Sequence, residues 1–572
     1  MEKLMRRIDV ASKRKAADTV IKNGKIIDVF NLEIIEADIA IADGVIVGIG
    51  EGYEGQKVID AKDRYVAPSF IDGHVHIESS MVAPSEFSKV VLPHGITTVI
   101  TDPHEIANVC GEKGISFFLE NSEELPLDVF FMLPSSVPAT PFENAGAKLL
   151  AKDLKPFFSH ERVLGLAEVM DYPAVMNNDA AMIEKLSMTN KIDGHAAGLD
   201  VDGINIYRAA RIKTDHECIT PKEAKERIQR GMYVMIREGS GAKNLIDLIP
   251  VVNEKNSRRF LFCTDDKHLD ELISEGSIDH NVRLAIQQGL DPILAIQLAS
   301  LNAAECFGLE NKGAIAPGYE ADFIIVDDLN KLTGMTVYKA GERVADNGIY
   351  LLKDNDSVKP KPEITNTVKI DNIKKEHLNI KIPSENKANI IGIIPNQIVT
   401  ERLIEPVHIE NGLFIPSVER DQLKLAVIER HSNTHNIGLG IVKGFKLTSG
   451  AIAGTVAHDS HNLVAAGTTD EDIITAIEAI KEMNGGLVVV KDSKVLAKVP
   501  LAVAGLVSLE NYETVNRQLK QLHKVLNEIT PIKDFSLFSI LSFLCLPVIP
   551  QLKLTDLGLF DVDRFEHISI SL

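Results

Sequence analysis

Seven short stretches of this 572-residue chain concentrate imidazole and carboxylate groups. They are His74-Val75-His76, Asp102-Pro103-His104-Glu105, Glu168, His195, Asp215-His216-Glu217, Arg237-Glu238 and Asp265-Asp266. The donors are nitrogen and oxygen, without thiolate. Such a set suits zinc, manganese or iron, and the sequence does not choose among them. In a strand, His74 and His76 lie on one face, so both imidazoles can reach one ion. A lone His-x-His is usually incidental, and a lone His195 or His216 is usually an ordinary hydrogen-bonded histidine. The combination of an HxH pair, a carboxylate, two single histidines and an Asp, each closing its own apolar run, argues for a metal site. Its chemistry would be hydrolysis, because a metal lowers the pKa of water from about 15.7 to about 7.

Those groups need a frame that brings them together. Eight strand-like runs can be read, and all but DVFFMLP end on or beside these groups: FIDGHVHI, TTVITD, DVFFMLP, VLGLAEV, KIDGHA, IKTDHEC, YVMIREG and RRFLFCTD. Their ends lie roughly 20–35 residues apart, the length of a βα unit. Helical runs intervene, such as ITPKEAKERIQRG with proline in its first turn, and DPILAIQLASLNAAECFG follows the last strand. The pattern predicts an α/β fold, a TIM-type (β/α)8 barrel over 68–310, whose catalytic groups sit at the C-terminal strand ends. The β-rich flanks, VIKNGKIIDVF, ADIAIADGVIVGIG and KVIDAKDRYVAP before it and GAIAPGYEADFIIVDD and GMTVYKAGERV after it, predict one small β-sandwich from 1–67 and 311–356. Asn23-Gly24 and Asp43-Gly44 are hairpin signals there. The polar stretch VKPKPEITNTVKIDNIKKEH reads as a linker or domain entry. An additional C-terminal α+β domain is expected over 357–572, with strands in NIIGIIP and GLVVVKD and helices in DEDIITAIEAIKEMNGG and NYETVNRQLKQLHKVLNEI.

A formal net charge of −20 disfavours nucleic acid as a partner, since it repels phosphate backbones. It suits a small neutral or weakly basic substrate, or serves solubility alone. Five scattered cysteines without a CxxC pair argue against a disulfide framework and a thiolate zinc site. The basic N-terminus has no apolar core of a signal peptide. The run LFSILSFLCLPVI is too short to span a bilayer and reads as a buried segment. A cytoplasmic protein without a membrane partner is expected.

The opening PSFIDGHVHIESSM and the return GAIAPGYEADFIIVD resemble the amidohydrolase superfamily. More specifically, HVHIESSM, DPHEIANV, AEVMD, DGHAAGL, TDHE, MIREGS and CTDD resemble the bacterial adenine deaminases. So do ERH, GFKLTSGAIAGTVAHDSHN and LPVIPQLKLTDLGLF, so the likeness runs from about Asp18 to the end. It implies a binuclear divalent transition-metal centre, manganese or iron, with zinc as the alternative. His74, His76 and Asp265 would serve one ion, His195 and His216 the other, and Glu168 would bridge them. It implies hydrolysis of adenine to hypoxanthine and ammonia by a metal-activated hydroxide, in purine salvage, and a homodimer. A cyclic amide or N-acyl substrate and an inactive scaffold relative are the alternatives.

Within that chemistry, Asp265 is placed to take the proton of the attacking water and pass it to the leaving amine. Glu238 is the first candidate for the acid that contacts a purine ring nitrogen, with Glu105 and Glu78 as rivals. Each is otherwise a structural carboxylate. Arg237 is expected to pair with Glu238 or to meet the substrate. His104 would orient the substrate or the leaving group, or merely bond nearby backbone. The polar run His458-Asp459-Ser460-His461-Asn462 is either a surface turn or a piece that reaches the barrel mouth, as a substrate wall or an extra metal contact; Arg430 and His431 share that ambiguity.

Overall fold

The structure, a computed structural model, describes residues 1–353, 359–383, 386–533 and 535–572. The boundary expected at 356/357 lies outside the described residues. All eight expected barrel strands form. They are β1 (Phe70–Val75), β2 (Ile96–Thr101), β3 (Asp128–Leu133), β4 (Val163–Val169), β5 (Ile192–Gly194), β6 (Thr214–Asp215), β7 (Tyr233–Arg237) and β8 (Phe260–Cys263). Strands β1 to β5 pair in sequence, all parallel, and β6 to β8 do the same.

Two sets of backbone bonds join these halves into a barrel. Lys213 N–H donates to Ile192 O at 3.1 Å between β5 and β6. Asp265 N–H donates to His74 O at 2.9 Å, and His76 N–H to Asp265 O at 3.1 Å, between β8 and β1. The strands are buried on both faces, as a parallel sheet covered by helices requires. The helix Pro221–Gln229 starts as its sequence predicts, with Pro221 in the first turn and Thr220 and Glu223 forming a reciprocal capping box. The run DPILAIQLASLNAAECFG is not one helix but two, Pro292–Ala299 and Leu301–Phe307, because Ser300 leaves helical geometry.

Both flanks feed the β-sandwich. A four-stranded sheet (Ala17–Lys22, Ile39–Ala42, Val45–Ile49, Gly55–Asp60) faces a seven-stranded one. The second sheet pairs Tyr65–Pro68 antiparallel with Phe323–Val326, so the chain entering the barrel and the chain leaving it are neighbours. Ile21, Ile41, Val66, Phe323 and Ile325 are among the side chains between the sheets. Asp43-Gly44 forms the expected two-residue hairpin, with φ of 53° and 73°. Asn23-Gly24 does not: the strands on either side of it belong to different sheets, and the turn carries the chain across the sandwich.

The C-terminal region is built on an eight-stranded, largely antiparallel sheet that includes NIIGI and GLVVVK as expected. The helix Asp470–Glu482 packs Ile473, Ile477 and Ile480 on one face of it. The run LFSILSFLCLPVI is buried, with a seven-residue helix at Leu537–Phe543. Among the described residues, no helix is long and apolar enough to cross a membrane.

Two buried cations tie this fold to the barrel mouth. Arg227 Nε donates to Asp215 Oδ2 at 2.9 Å and its Nη2 to Ala196 O at 2.8 Å. Asp215 Oδ1 accepts the amides of Ala196 and Glu217, each at 3.0 Å. One ion pair thus fixes the chain beside His195 and His216. Lys553 Nζ, also wholly buried, donates to Ile398 O at 2.7 Å and Phe543 O at 2.9 Å. Burial without a carboxylate partner among the described residues pulls its pKa down to about 7.

Two predictions result. Arg227→Met leaves the Asp215 charge buried without its partner and is expected to destabilise the protein by about 3–5 kcal/mol, read as a fall in the thermal midpoint. An unchanged midpoint would mean that the pair fixes nothing. For Lys553, the folded pKa lies below that of the unfolded chain, so the unfolded state holds the extra proton between about pH 7 and pH 10. Stability relative to Lys553→Met should therefore rise with pH across that window, by at most about 1.4 kcal/mol per pH unit. Parallel stability–pH curves for the two proteins would contradict it.

Candidate metal centre and substrate cavity

The strand β1 ends in Asp72-Gly73-His74-Val75-His76. A Cβ at Gly73 would lie 2.5 Å from Leu261 Cδ1 and 3.0 Å from Phe262 O, so only glycine lets β8 close against β1. His74 Nδ1–H donates to Asp193 Oδ2 at 2.9 Å, and His76 Nδ1–H to the carbonyl of Asp102 at 3.0 Å. Both acceptors hold a proton on Nδ1, so in the neutral rings each Nε2 keeps its lone pair. Those two Nε2 atoms face each other 3.1 Å apart. Asp265 Oδ1 lies 3.1 Å from His76 Nε2 and 3.6 Å from His74 Nε2.

Glu168, at the end of β4, divides its oxygens between two groups. Its Oε1 lies 3.4 Å from His76 Nε2 and 3.9 Å from His74 Nε2. Its Oε2 lies 2.8 Å from His195 Nδ1 and 3.2 Å from His216 Nε2. Burial opposes its charge, but the surrounding histidines win and hold the carboxyl well below the usual range. The opposite nitrogens, His195 Nε2 and His216 Nδ1, are buried without a hydrogen-bond partner. All six residues are buried. Asp265 has φ of 58°, a left-handed conformation uncommon outside glycine, and its two backbone bonds to β1 hold it there.

Arg237 does not pair with Glu238. Its Nη1 donates to Asp265 Oδ2 at 2.9 Å, its Nη2 to Glu217 Oε2 at 3.1 Å, and its Nη1 also contacts Glu217 Oε1. Strand alternation points Arg237 into the barrel and turns Glu238 away. Glu238 Oε2 accepts the Leu245 amide at 3.2 Å, and the residue is not among those lining the cavity. Glu78 is likewise outside the lining. Its Oε1 accepts the Ile106 amide at 3.1 Å near the start of the helix His104–Cys110, and burial beside Glu105 raises its pKa to about 8.

His104 Nδ1 donates to Asp102 Oδ2 at 3.0 Å and lies 3.4 Å from Glu168 Oε1, so it bonds a side chain rather than backbone. Glu105 meets the C-terminal region: its Oε1 is 2.7 Å from His458 Nδ1, and its Oε2 contacts His461 Nε2. The stretch His458–Asn462 is buried and is no surface turn. Arg430 and His431 lie beneath it, where Arg430 Nε reaches His461 O and His431 Nε2 donates to Ser460 O at 2.7 Å.

These groups surround one cavity. His76, His104, Glu105, Glu168, His195, His216, Arg237, Asp265 and His458 line it; His74 and His461 lie behind the lining. Met170 and, from the C-terminal region, Ile398, Phe543, Leu546 and Ile549 form an apolar wall. Sequence reasoning assigned no role to Glu217, Asp193 or this wall. The signal for Glu217 was present, since it directly follows His216. The wall carried none, because apolar side chains that meet only after folding look like any core residues.

Residues 65–374 match the amidohydrolase family model, and residues 397–566 match the adenine deaminase C-terminal domain. Residues 3–69 match the N-terminal domain of the urease alpha-subunit. The chain is 56% identical to an adenine deaminase of Geobacillus kaustophilus (strain HTA426) over 572 residues, 99% of each chain. It is 54% identical to one of Bacillus subtilis (strain 168), over 100% of this chain and 99% of the relative. Among solved structures, an enamidase of the amidohydrolase superfamily aligns with 58% of this chain and 96% of its own, at 21% identity and a TM-score of 0.43. On the family match and the full-length identities, the chain belongs to the adenine deaminases of the amidohydrolase family.

Proposed function

We propose that this protein hydrolyses adenine to hypoxanthine and ammonia at a centre that holds two divalent transition metals, manganese or iron, with zinc as the alternative. The observation that carries the metal reading is the pair of Nε2 lone pairs facing each other across 3.1 Å with both Nδ1 atoms committed elsewhere. In the neutral rings such an arrangement is repulsive, and a cation that accepts both lone pairs relieves it. The split of Glu168 between the His74–His76 pair and the His195–His216 pair supports two ions rather than one. His74, His76 and Asp265 would hold the first, His195 and His216 the second, and Glu168 would reach both. When bound, the metals supply Lewis acidity that makes water a competent nucleophile near neutral pH.

The remaining work falls to side chains. Asp265 presents Oδ1 toward the histidines and Oδ2 to Arg237; against the effect of burial, His74, His76 and then Arg237 favour its ionised form. In the proposed reaction Asp265 accepts a proton from the attacking water as its oxygen bonds to the amine-bearing ring carbon. It then returns that proton to the exocyclic nitrogen, which leaves as ammonia. Arg237 and Glu217 fix the position of Asp265 through a buried pair. Of the carboxylates weighed for the ring-nitrogen contact, Glu105 lines the cavity and Glu238 and Glu78 do not; held ionised, Glu105 would accept a ring N–H. The apolar wall suits a flat base and excludes water from its faces. A cytoplasmic homodimer working in purine salvage, without nucleic acid or membrane partners, completes the proposal.

Adenine added to metal-replete enzyme is expected to release ammonia and yield hypoxanthine. Asp265→Ala should lower kcat/KM by about 10²–10⁴-fold. His74→Ala should lose metal as well as turnover, while circular dichroism stays native. No ammonia from adenine, together with turnover of a cyclic imide, would overturn the substrate assignment. Near-normal activity in either variant would overturn the site assignment.

A further inference from the structure

One buried cation takes no part in the metal centre or in the lining of the cavity. Lys553 stands in the run LPVIPQLKLTDLGLF, between Leu552 and Leu554 on the strand Leu552–Thr555. Alternation along that strand sends the two leucines to one side and Lys553 to the other. All three are wholly buried. An ammonium buried without a carboxylate partner among the described residues is costly, and an apolar side chain of similar length would avoid that cost. What the position gains from a lysine is a pair of charge-assisted hydrogen bonds.

The acceptors, Ile398 O at 2.7 Å and Phe543 O at 2.9 Å, are far apart in the chain. Phe543 is the last residue of the helix Leu537–Phe543, so its carbonyl is one of those that a helix end leaves without an intrahelical partner. Ile398 lies just before the strand Thr400–Pro406. The chain around Lys553 is bonded to both segments: Thr400 N–H donates to Pro550 O, and Leu554 N–H to Leu544 O, each at 2.9 Å. Lys553 closes this bridge from behind the cavity. Without it, Ile398 O has no donor among the described residues, and Phe543 O keeps only a long bond, 3.4 Å, from Leu546 N–H.

Ile398 and Phe543 both line the cavity. The ring of Phe543 lies face to face with His458, with centroids 4.2 Å apart and planes 10° from parallel. Beside it runs the loop after β7, where a Cβ on Gly241 would come within 3.2 Å of Phe543 Cε2. The ring is thus packed on two sides, and its backbone is what Lys553 holds. The groups of the metal centre are fixed separately: His74 by Asp193, His76 by the Asp102 carbonyl and Asp265 by Arg237. None of those bonds passes through Lys553.

We propose that Lys553 is a positioning residue for substrate binding: by holding the carbonyls of Ile398 and Phe543 together, it fixes the apolar wall against which the base lies. This rests on the adenine reading above. Two buried carbonyls deprived of their donor turn toward other partners, and the side chains on the same residues turn with them. Contact between an apolar wall and a flat ring is much the same before and after water adds to one ring carbon, so it favours substrate and transition state alike. Its loss therefore raises KM and leaves kcat in place.

The test uses the full-length, metal-replete enzyme, with adenine as substrate and hypoxanthine as competitive inhibitor. Lys553→Met keeps the length of the side chain and removes its donors. It should raise KM for adenine and Ki for hypoxanthine together by about 10-fold, with kcat changed by less than about twofold and metal content unchanged. Lys553→Gln, which keeps N–H donors on a shorter chain, should recover part of the loss. Phe543→Leu should raise KM as well, and adding Lys553→Met to it should cost less than adding it to the wild type, because both act through one wall. A lysine with only a structural role would lower kcat in proportion to the folded fraction and leave KM unchanged. Independent effects of Lys553→Met and Phe543→Leu on KM would place the action of Lys553 elsewhere, and loss of metal from Lys553→Met would place it at the metal centre. Each of these three outcomes overturns the proposal. Wild-type enzyme that releases no ammonia from adenine would instead overturn the underlying reading. If Lys553→Met does not fold, as judged by circular dichroism, KM, Ki and the coupling to Phe543→Leu are read from Lys553→Gln.

Discussion

The two imidazole nitrogens that face each other at the end of β1 set the terms for the rest of the barrel mouth. His74 and His76 keep lone pairs on Nε2 because Asp193 and the Asp102 carbonyl take the protons of Nδ1. Two lone pairs 3.1 Å apart repel, and a proton or a bound cation between them relieves that repulsion. Much of the neighbouring structure maintains that demand. Gly73 lets β8 approach, two backbone bonds hold Asp265 against β1 in a left-handed conformation, and Glu168 extends the cluster to His195 and His216.

Concentrating so many charged groups in a buried site is costly unless each has a partner. The fold meets this with paired layers. Arg237 serves Asp265 and Glu217, Arg227 serves Asp215, and Asp102 serves His104. These second partners also fix orientation, since a histidine whose far nitrogen is bonded cannot rotate.

The C-terminal region is part of the site. It supplies the apolar side of the cavity and the imidazoles against Glu105, and Lys553 holds the carbonyls of two wall residues, Ile398 and Phe543. A barrel alone would leave its polar floor open to water. Closing it with apolar side chains strengthens every electrostatic interaction inside.

The sequence by itself determined the eight strands, the chain segments that make the sandwich, and the chemistry of the six clustered ligand-type residues. Hydrophobic runs of strand length and the residue types at their ends are local properties, and they are legible without a structure. Tertiary structure decided what each polar group faces. Glu238 and Glu78 were indistinguishable from active carboxylates in sequence, yet each gives a carboxyl oxygen to a backbone amide, Leu245 and Ile106, and neither lines the cavity. Arg237 passed over its neighbour Glu238 for Glu217 and Asp265, because alternation along β7 sends adjacent side chains to opposite faces. Asn23-Gly24 looked like a hairpin and became a crossing between sheets, since turn residues permit a reversal without fixing which strand lies beyond it. The encounter of Glu105 with His458 and His461 joins residues far apart in the chain, and no local pattern encodes it; only the packing of the C-terminal sheet on the barrel brings those groups within bonding distance.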